Sequence, residues 1–424
     1  MDNREEITFR NVLRNRSFLS LWSAQTVSRL GDGVHEIAIL WLVLTLTHSP
    51  ITVSVALICS VLPSLVFGLF AGAIIDIGDR KKLMVGSDLI RFFITLTIPI
   101  AYYLNMLQLW MIYVVAILTS VAESFFIPAR QASIPYFVKE EELNTANSLD
   151  RVSLHTIQIF SFGLGGVIVA MIGAPNAFLV DAFTFLASAL IVFSIKFPER
   201  VEKGALYLKK IIDEVIYGLK FIKGKRLIFL LLLLLAAVNF IVIPIEVVMV
   251  ILSEDLIVAG SVGFGILVAS FAFGGVVGAI ICGKTKLEKG KLLIYGVFGV
   301  GIGIGSIPLW PFAANLITEL SGYNILDVSV LLLSSFSFFV VGIFSAAISI
   351  PSISLVQIHV PDEVRGRVFS ANRMLTISLA PISIFAVGVL ITVIGVSALL
   401  YLMGISLIAL GALSRFSRTI WKTS

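Results

Sequence analysis

LIFLLLLLLAAVNFIVIPIEVVMVIL, residues 227–252, carries one ionisable side chain, Glu246, in a run that is apolar apart from it and Asn239. At about 1.5 Å of rise per residue, such a run as a helix is long enough to cross a hydrocarbon core of about 30 Å. Barrel strands are ruled out, since they are about ten residues long and alternate in polarity. The solvent around this segment is therefore lipid.

Working outward, comparable apolar runs occupy Phe18–Leu46, Val53–Ile75, Leu83–Leu104, Trp110–Ile127, Val152–Ile172, Ala177–Ile195, Val262–Cys282, Leu292–Pro311, Val328–Ile350, Met374–Val393 and Val396–Leu413. With the quoted stretch this predicts twelve transmembrane helices. The first run is too long for a secretory signal and has no small-residue cleavage site, so it is expected to remain as a span. The composition agrees: of 424 residues 58% are hydrophobic and only 13% charged, against about 25% charged in a soluble domain. Two cysteines make no disulfide framework and 31 Phe are incompatible with disorder.

The net charge of +5 raises the question of nucleic acid, and the location of the basic residues answers it. Loops after the odd-numbered spans contain no Lys or Arg, whereas the other side carries Arg4, Arg10, Arg14, Arg16, the Arg80-Lys81-Lys82 cluster, a dense group from Lys196 to Arg226, Lys284 to Lys291, and Arg415, Arg418 and Lys422. By the positive-inside rule both termini are expected in the cytoplasm of a cell whose cytoplasmic (inner) membrane holds the chain. The positive charge is then a signature of topology, and no nucleic-acid partner is expected.

The longest polar interval predicts a division into an N-terminal half over 1–197, a cytoplasmic linker over 198–226 and a C-terminal half over 227–424. The linker's Leu206, Ile211, Ile212, Val215, Ile216, Leu219 and Ile222 lie opposite its lysines, as in an amphipathic helix on the membrane surface. The halves repeat short motifs: Gly72-Ala73-Ile74-Ile75 returns as Gly278-Ala279-Ile280-Ile281, and Ile127-Pro128 as Ile350-Pro351, each near the end of the corresponding span. Such duplication is the architecture of transporters that rock two halves about a central site.

The loop after the second span reads Gly72-Ala73-Ile74-Ile75-Asp76-Ile77-Gly78-Asp79-Arg80-Lys81-Lys82. It resembles the signature of the major facilitator superfamily at Gly72, Asp76, Arg80 and Lys81, departing at Ile77 and Asp79. Asp88-Leu89-Ile90-Arg91, Pro128-Ala129-Arg130, Ala146-Asn147-Ser148-Leu149, Asp181-Ala182-Phe183-Thr184-Phe185 and Val360-Pro361-Asp362-Glu363-Val364-Arg365-Gly366-Arg367-Val368 are similar to the macrolide-efflux and enterobactin-exporter-like branch. The resemblance implies the major facilitator fold, an all-α membrane protein of two pseudo-symmetric six-helix halves. It also implies that Gly72, Asp76, Arg80 and Lys81 form a conformational latch against the other half. Cys282 stands at the position matching Asp76, so any latch is one-sided. In span 5, Ser161-Phe162 precede Gly165-Gly166 where proton-exchanging exporters often have Gly-Pro. Small residues at Gly163, Gly165 and Gly166 still favour close helix packing.

Ionisable side chains inside spans are costly and mark pathways or partners. Trp22, Gln25, Arg29, Asp32 and Glu36 recur every three or four residues, which puts them on one face of span 1, turned toward the bundle interior. Arg29 is expected to pair with Asp32, leaving Glu36 to carry an exchangeable proton. Span 7, the duplicate of span 1, offers Asn239 and Glu246 around Pro244, where a missing amide favours a kink. Glu123 in span 4 is a further functional candidate, with pairing to Arg151 or Arg91 as the structural alternative. Asp88 and Arg91 read as a helix-bracing pair, while the role of Asp181 stays open.

Counting Asp32, Glu36, Glu123 and Glu246 against Arg29, the site is expected to be electronegative. Together with Trp22, Trp41 and many Phe this favours an amphipathic, often cationic small molecule. No phosphate-binding Gly-x4-Gly-Lys-Ser/Thr loop is present, so protons are the expected energy source. His35, His48, His155 and His359 lack metal-ligand spacing, and Cys59 and Cys282 read as core residues. No metal, cofactor or enzymatic activity is expected. The expectation is a monomeric drug exporter in the bilayer; a siderophore exporter and a lysophospholipid or lipid translocator are the alternatives.

Overall fold

The computed structural model describes residues 9–197, 222, 224–255, 257, 259–321 and 326–416, all of them helix, turn or connecting loop, with no strand among them. A short α1 (Phe9–Leu13) precedes the spans α2 (Arg16–Thr47), α3 (Pro50–Ile77), α4 (Arg80–Tyr103), α5 (Leu109–Ser133), α6 (Leu143–Ile172) and α7 (Ala174–Ser194). Then come α8 (Arg226–Val242), α9 (Ile245–Asp255), α10 (Gly260–Lys284), α11 (Lys289–Ser306), α12 (Trp310–Ser321), α13 (Leu326–His359) and α14 (Asp362–Phe416).

Among the described residues, eleven apolar helical segments are long enough to cross a bilayer, the last running Ser378–Arg415 over 38 residues. At about 1.5 Å per residue that segment is nearly twice what one crossing needs. Gly395, at φ +80 and ψ 162, breaks it, so it serves as two spans and the total reaches twelve. An L side chain is disfavoured at this φ, which is why the turn falls on glycine.

Helix ends run past the apolar windows. α6 starts at Leu143 and not near Val152, and the ninth span continues beyond Pro311 through a 3₁₀ turn at Ile307–Leu309 into α12. Hydropathy detects the hydrocarbon core, whereas a helix ends only where capping or backbone geometry stops it. The predicted amphipathic linker helix lies, apart from its last residues, outside the described residues.

The contacts divide the described residues into two compact units, one within residues 1–46 and 56–207, the other within 47–55 and 208–424. The packing of the first recurs in the second. In the first, α4 packs on α7, and the Ser64 amide of α3 donates to Ser120 Oγ of α5 at 3.0 Å. In the second, α11 packs on α14 and α10 on α13. There Gly274, Gly278 and Gly342 let α10 and α13 approach backbone to backbone: a Cβ on Gly278 would stand 2.5 Å from the Ile343 carbonyl oxygen, and one on Gly274 would collide with that of Phe339. Gly274 and Gly278 form a Gly-x3-Gly pair, whose small size permits this approach where lipid supplies no hydrophobic drive. The duplicated Pro128 and Pro351 lie inside α5 and α13 respectively.

Polarity is inverted relative to a soluble protein. Phe93, Phe183, Phe193 and Met171 are exposed, as lipid-facing residues are, while Asp88, Asp181, Arg91 and Arg130 are buried.

Candidate functional site

In the first unit a cluster of charged side chains lies where α2, α4, α5 and α7 meet, and the span 1 stripe supplies the largest share. From its start, Trp22 Nε1 donates to Ser153 Oγ of α6 at 2.9 Å. Gln25 is buried, and its Oε1 has no hydrogen-bond partner among the described residues. Arg29 faces Glu123 of α5 across 3.8 Å, the two side chains keeping 25% and 31% of their exposure. Asp32 pairs with Arg91 of α4, and Glu36 lies half-buried one residue beyond His35.

Two expected pairings need correction. Asp32 pairs with Arg91 and not with Arg29, and the cation within ion-pair distance of Glu123 is Arg29 and not Arg151, while Arg91 also acts on Glu123 electrostatically. Helical periodicity places Arg29 and Asp32 on one face, but adjacent helices present stronger partners than a neighbour on the same helix. The cluster also holds groups outside the expected set: Arg91, which pairs with Asp32, and the buried Asp88 and Asp181.

Arg91 is a hub. Its guanidinium carbon stands 3.8 Å from the centroid of the Phe185 ring of α7, a cation–π arrangement that helps a buried cation. Asp88, one turn earlier on α4, is fully buried, with neither oxygen hydrogen-bonded among the described residues.

His35 and Asp181 are the pair that sequence reasoning missed. His35 Nδ1 lies 2.7 Å from Asp181 Oδ2, and the two side chains are 14% and 0% exposed. The ring meets Phe178 edge-on at 5.3 Å between centroids. The available signal was its position three residues after Asp32 on the same helical stripe.

Close packing makes these contacts possible. A Cβ on Gly31 would stand 2.7 Å from Asp181 Oδ1 and collide with Thr184 Oγ1 of α7. A Cβ on Gly33 would collide with Ser161 Oγ of α6, and one on Gly165 would lie 2.9 Å from the Gly33 carbonyl oxygen. Ser161 and Gly165 thus seat α6 directly on α2.

Of the latch residues, Gly72 and Asp76 lie on α3, and their surroundings fall outside what is described. Arg80 and Lys81, in the first turn of α4, bind within their own unit. Arg80 donates to the Ala132 carbonyl at the end of α5 and lies 4.9 Å from the Tyr136 ring centroid. Lys81 Nζ donates to the Ile195 carbonyl after α7 at 2.8 Å and sits 5.1 Å from the Phe193 centroid. These carbonyls belong to helix ends that lack internal donors and carry partial negative charge, so two cations cap them. Nearby, Arg130 holds Asp150 through two bonds of 2.7 and 2.9 Å.

In the second unit, span 7 is broken at Pro244 into α8 and α9, with the Val247 amide donating back to the Pro244 carbonyl at 3.0 Å. Asn239 ends up in the last turn of α8, its carbonyl accepting from Ile243 at 2.9 Å. Glu246 falls in the first turn of α9, where the positive end of the helix dipole favours a carboxylate. No cluster of three or more potential metal ligands occurs among the described residues.

The chain matches the family model described as "Transmembrane secretion effector" over residues 8–421. It is 28% identical over 422 residues to the uncharacterized MFS-type transporter YfiS of Bacillus subtilis (strain 168), covering 98% of this chain and 96% of that one. It is 25% identical over 401 residues to macrolide efflux protein A of Streptococcus pyogenes, covering 93% and 94%. Among solved structures, a point mutant of the nucleoside transporter NupG superposes with a TM-score of 0.72 at 12% identity, over 94% of this chain and 99% of that one. That last likeness bears on the fold alone.

Proposed function

The chain belongs to the transmembrane secretion effector family of major facilitator transporters, and on that footing we propose that it exports amphipathic small molecules, cations foremost, by proton-coupled alternating access. The observation that carries the reading is the Arg29–Glu123 contact. At 3.8 Å it is long for an ion pair, and both side chains keep a quarter or more of their exposure. A substrate cation reaching Glu123 meets a carboxylate only loosely held by Arg29, while Trp22 supplies apolar contact. A relative named for macrolide efflux supports a bulky amphipathic substrate.

In this reading the halves 1–197 and 227–424 rock about a central site bearing Trp22, Gln25, Arg29, Asp32, Glu36 and Glu123 from one half and Asn239 and Glu246 from the other. Gly72, Asp76, Arg80 and Lys81 act as the latch between conformations. The chain works as a monomer with both termini cytoplasmic, as the distribution of Lys and Arg supports.

The test is a susceptibility panel of chemically diverse compounds, comparing deletion with overexpression and repeated with a proton uncoupler. Overexpression is expected to protect against cationic amphiphiles, and the uncoupler to abolish the protection. Identical susceptibility of both strains to every compound would overturn the reading.

A further inference from the structure

We propose that the proton that drives transport is taken up and released by the pair His35–Asp181, not by Glu36; the inference rests on the proton-coupled export argued above.

The geometry carries it. His35 Nδ1 is 2.7 Å from Asp181 Oδ2. A carboxylate only accepts hydrogen bonds, so the neutral imidazole donates its Nδ1 proton and leaves Nε2 as its basic nitrogen. In that state the pair carries one negative charge. A proton added at Nε2 gives imidazolium beside carboxylate, with no net charge, and its return to water restores the first state with no other bond made or broken. Each cycle thus moves one charge into or out of a site where Asp181 is fully buried and its Oδ1 has no hydrogen-bond partner among the described residues. His35 keeps 14% exposure, which leaves the imidazole as the member that meets protons.

The surrounding groups make this pair the free variable. On α2, Asp32 is held by Arg91 of α4 and Arg29 by Glu123 of α5, so each of these charges has an opposite partner. Asp32 and Arg91 act electrostatically on Asp181, and Glu123 on His35. Asp88 of α4 lies in the same field around Arg91. α6, packed on α2 through Ser161 and Gly165, brings hydroxyl and backbone to this contact, and Glu36 is the next residue along α2. Among the described residues, this is the pair that sets an imidazole within hydrogen-bond distance of a fully buried carboxyl group. Its two charge states bias the adjoining Arg91–Asp32 contact between α4 and α2 differently, which gives the proton a structural consequence.

The experiment uses the whole chain in lipid nanodiscs with 15N-labelled histidine. Its four histidines are reduced to one by H48Q/H155Q/H359Q, so the assignment does not depend on H35Q folding. The remaining signal is expected to change protonation state when the pH is varied, and to do so differently in D181N. A signal that keeps one state as the pH is varied, or a response indifferent to D181N, overturns the proposal. In proteoliposomes with ethidium as the probe, H35Q is expected to lose gradient-driven accumulation far more than equilibrium exchange. Equal loss of the two, or wild-type coupling in H35Q, also overturns it. Absence of ethidium exchange by the wild-type protein would instead count against the export reading, while the titration still decides the protonation of the pair.

Discussion

Arg91 of α4 joins Asp32 of α2 while its guanidinium carbon rests 3.8 Å from the centroid of the Phe185 ring on α7. One side chain therefore ties three helices together inside the first unit. Breaking such a pair leaves an uncompensated buried charge, which costs roughly 3–5 kcal/mol. Asp32→Asn and Arg91→Met are each expected to lower the unfolding temperature of the detergent-solubilised protein sharply, and the double variant by clearly less than the sum. Strict additivity would show that the pair is not coupled.

Glu123→Gln separates recognition from stability. Because the Arg29–Glu123 contact is long and keeps part of its exposure, its loss is expected to cost less than breaking the Asp32–Arg91 pair. Resistance to cationic amphiphiles should collapse in cells expressing this variant, with resistance to neutral compounds much less affected. A parallel fall for both classes argues that Glu123 does not read charge.

The glycines of α2 give a steric test. Gly31→Ala meets the Thr184 side chain, so Thr184→Ala is expected to restore part of the folded yield measured by fluorescence-detected size exclusion. Gly33→Ala meets Ser161 down to its backbone carbonyl carbon, 2.9 Å from the added Cβ. Trimming Ser161 to Ala should therefore rescue it less.

Arg80→Ala and Lys81→Ala remove caps from different helices, α5 and α7. Each is expected to cost about 0.3–1 kcal/mol, and since their carbonyl partners lie at the ends of different helices, the effects are expected to be close to additive. Chemical denaturation in mixed micelles measures both. A strongly non-additive double variant would mean that the two carbonyl contacts are one structural unit.

The spans, the repeated halves and the polar stripe of α2 were legible because each follows from a one-dimensional pattern: apolar length, recurrence of short motifs, and spacing by three or four. The break at Pro244 was legible for a covalent reason, the missing amide. Which helix faces which was not. Periodicity puts Arg29, Asp32 and His35 on one side of α2, but nothing along that helix says that Glu123, Arg91 and Asp181 stand opposite. Those partners come from three other helices, whose rotation is set by contacts such as Gly31 against Thr184. The ends of α6 and the ninth span were likewise hidden, since helices continue past the hydrocarbon that hydropathy detects.

The backbone approach of α10 and α13 at Gly274, Gly278 and Gly342 has a mechanical meaning. Two rods joined along their length resist bending far more than either does alone, because stiffness climbs steeply with thickness. A helix pair joined this closely is expected to move as one stiff body rather than as two separate helices.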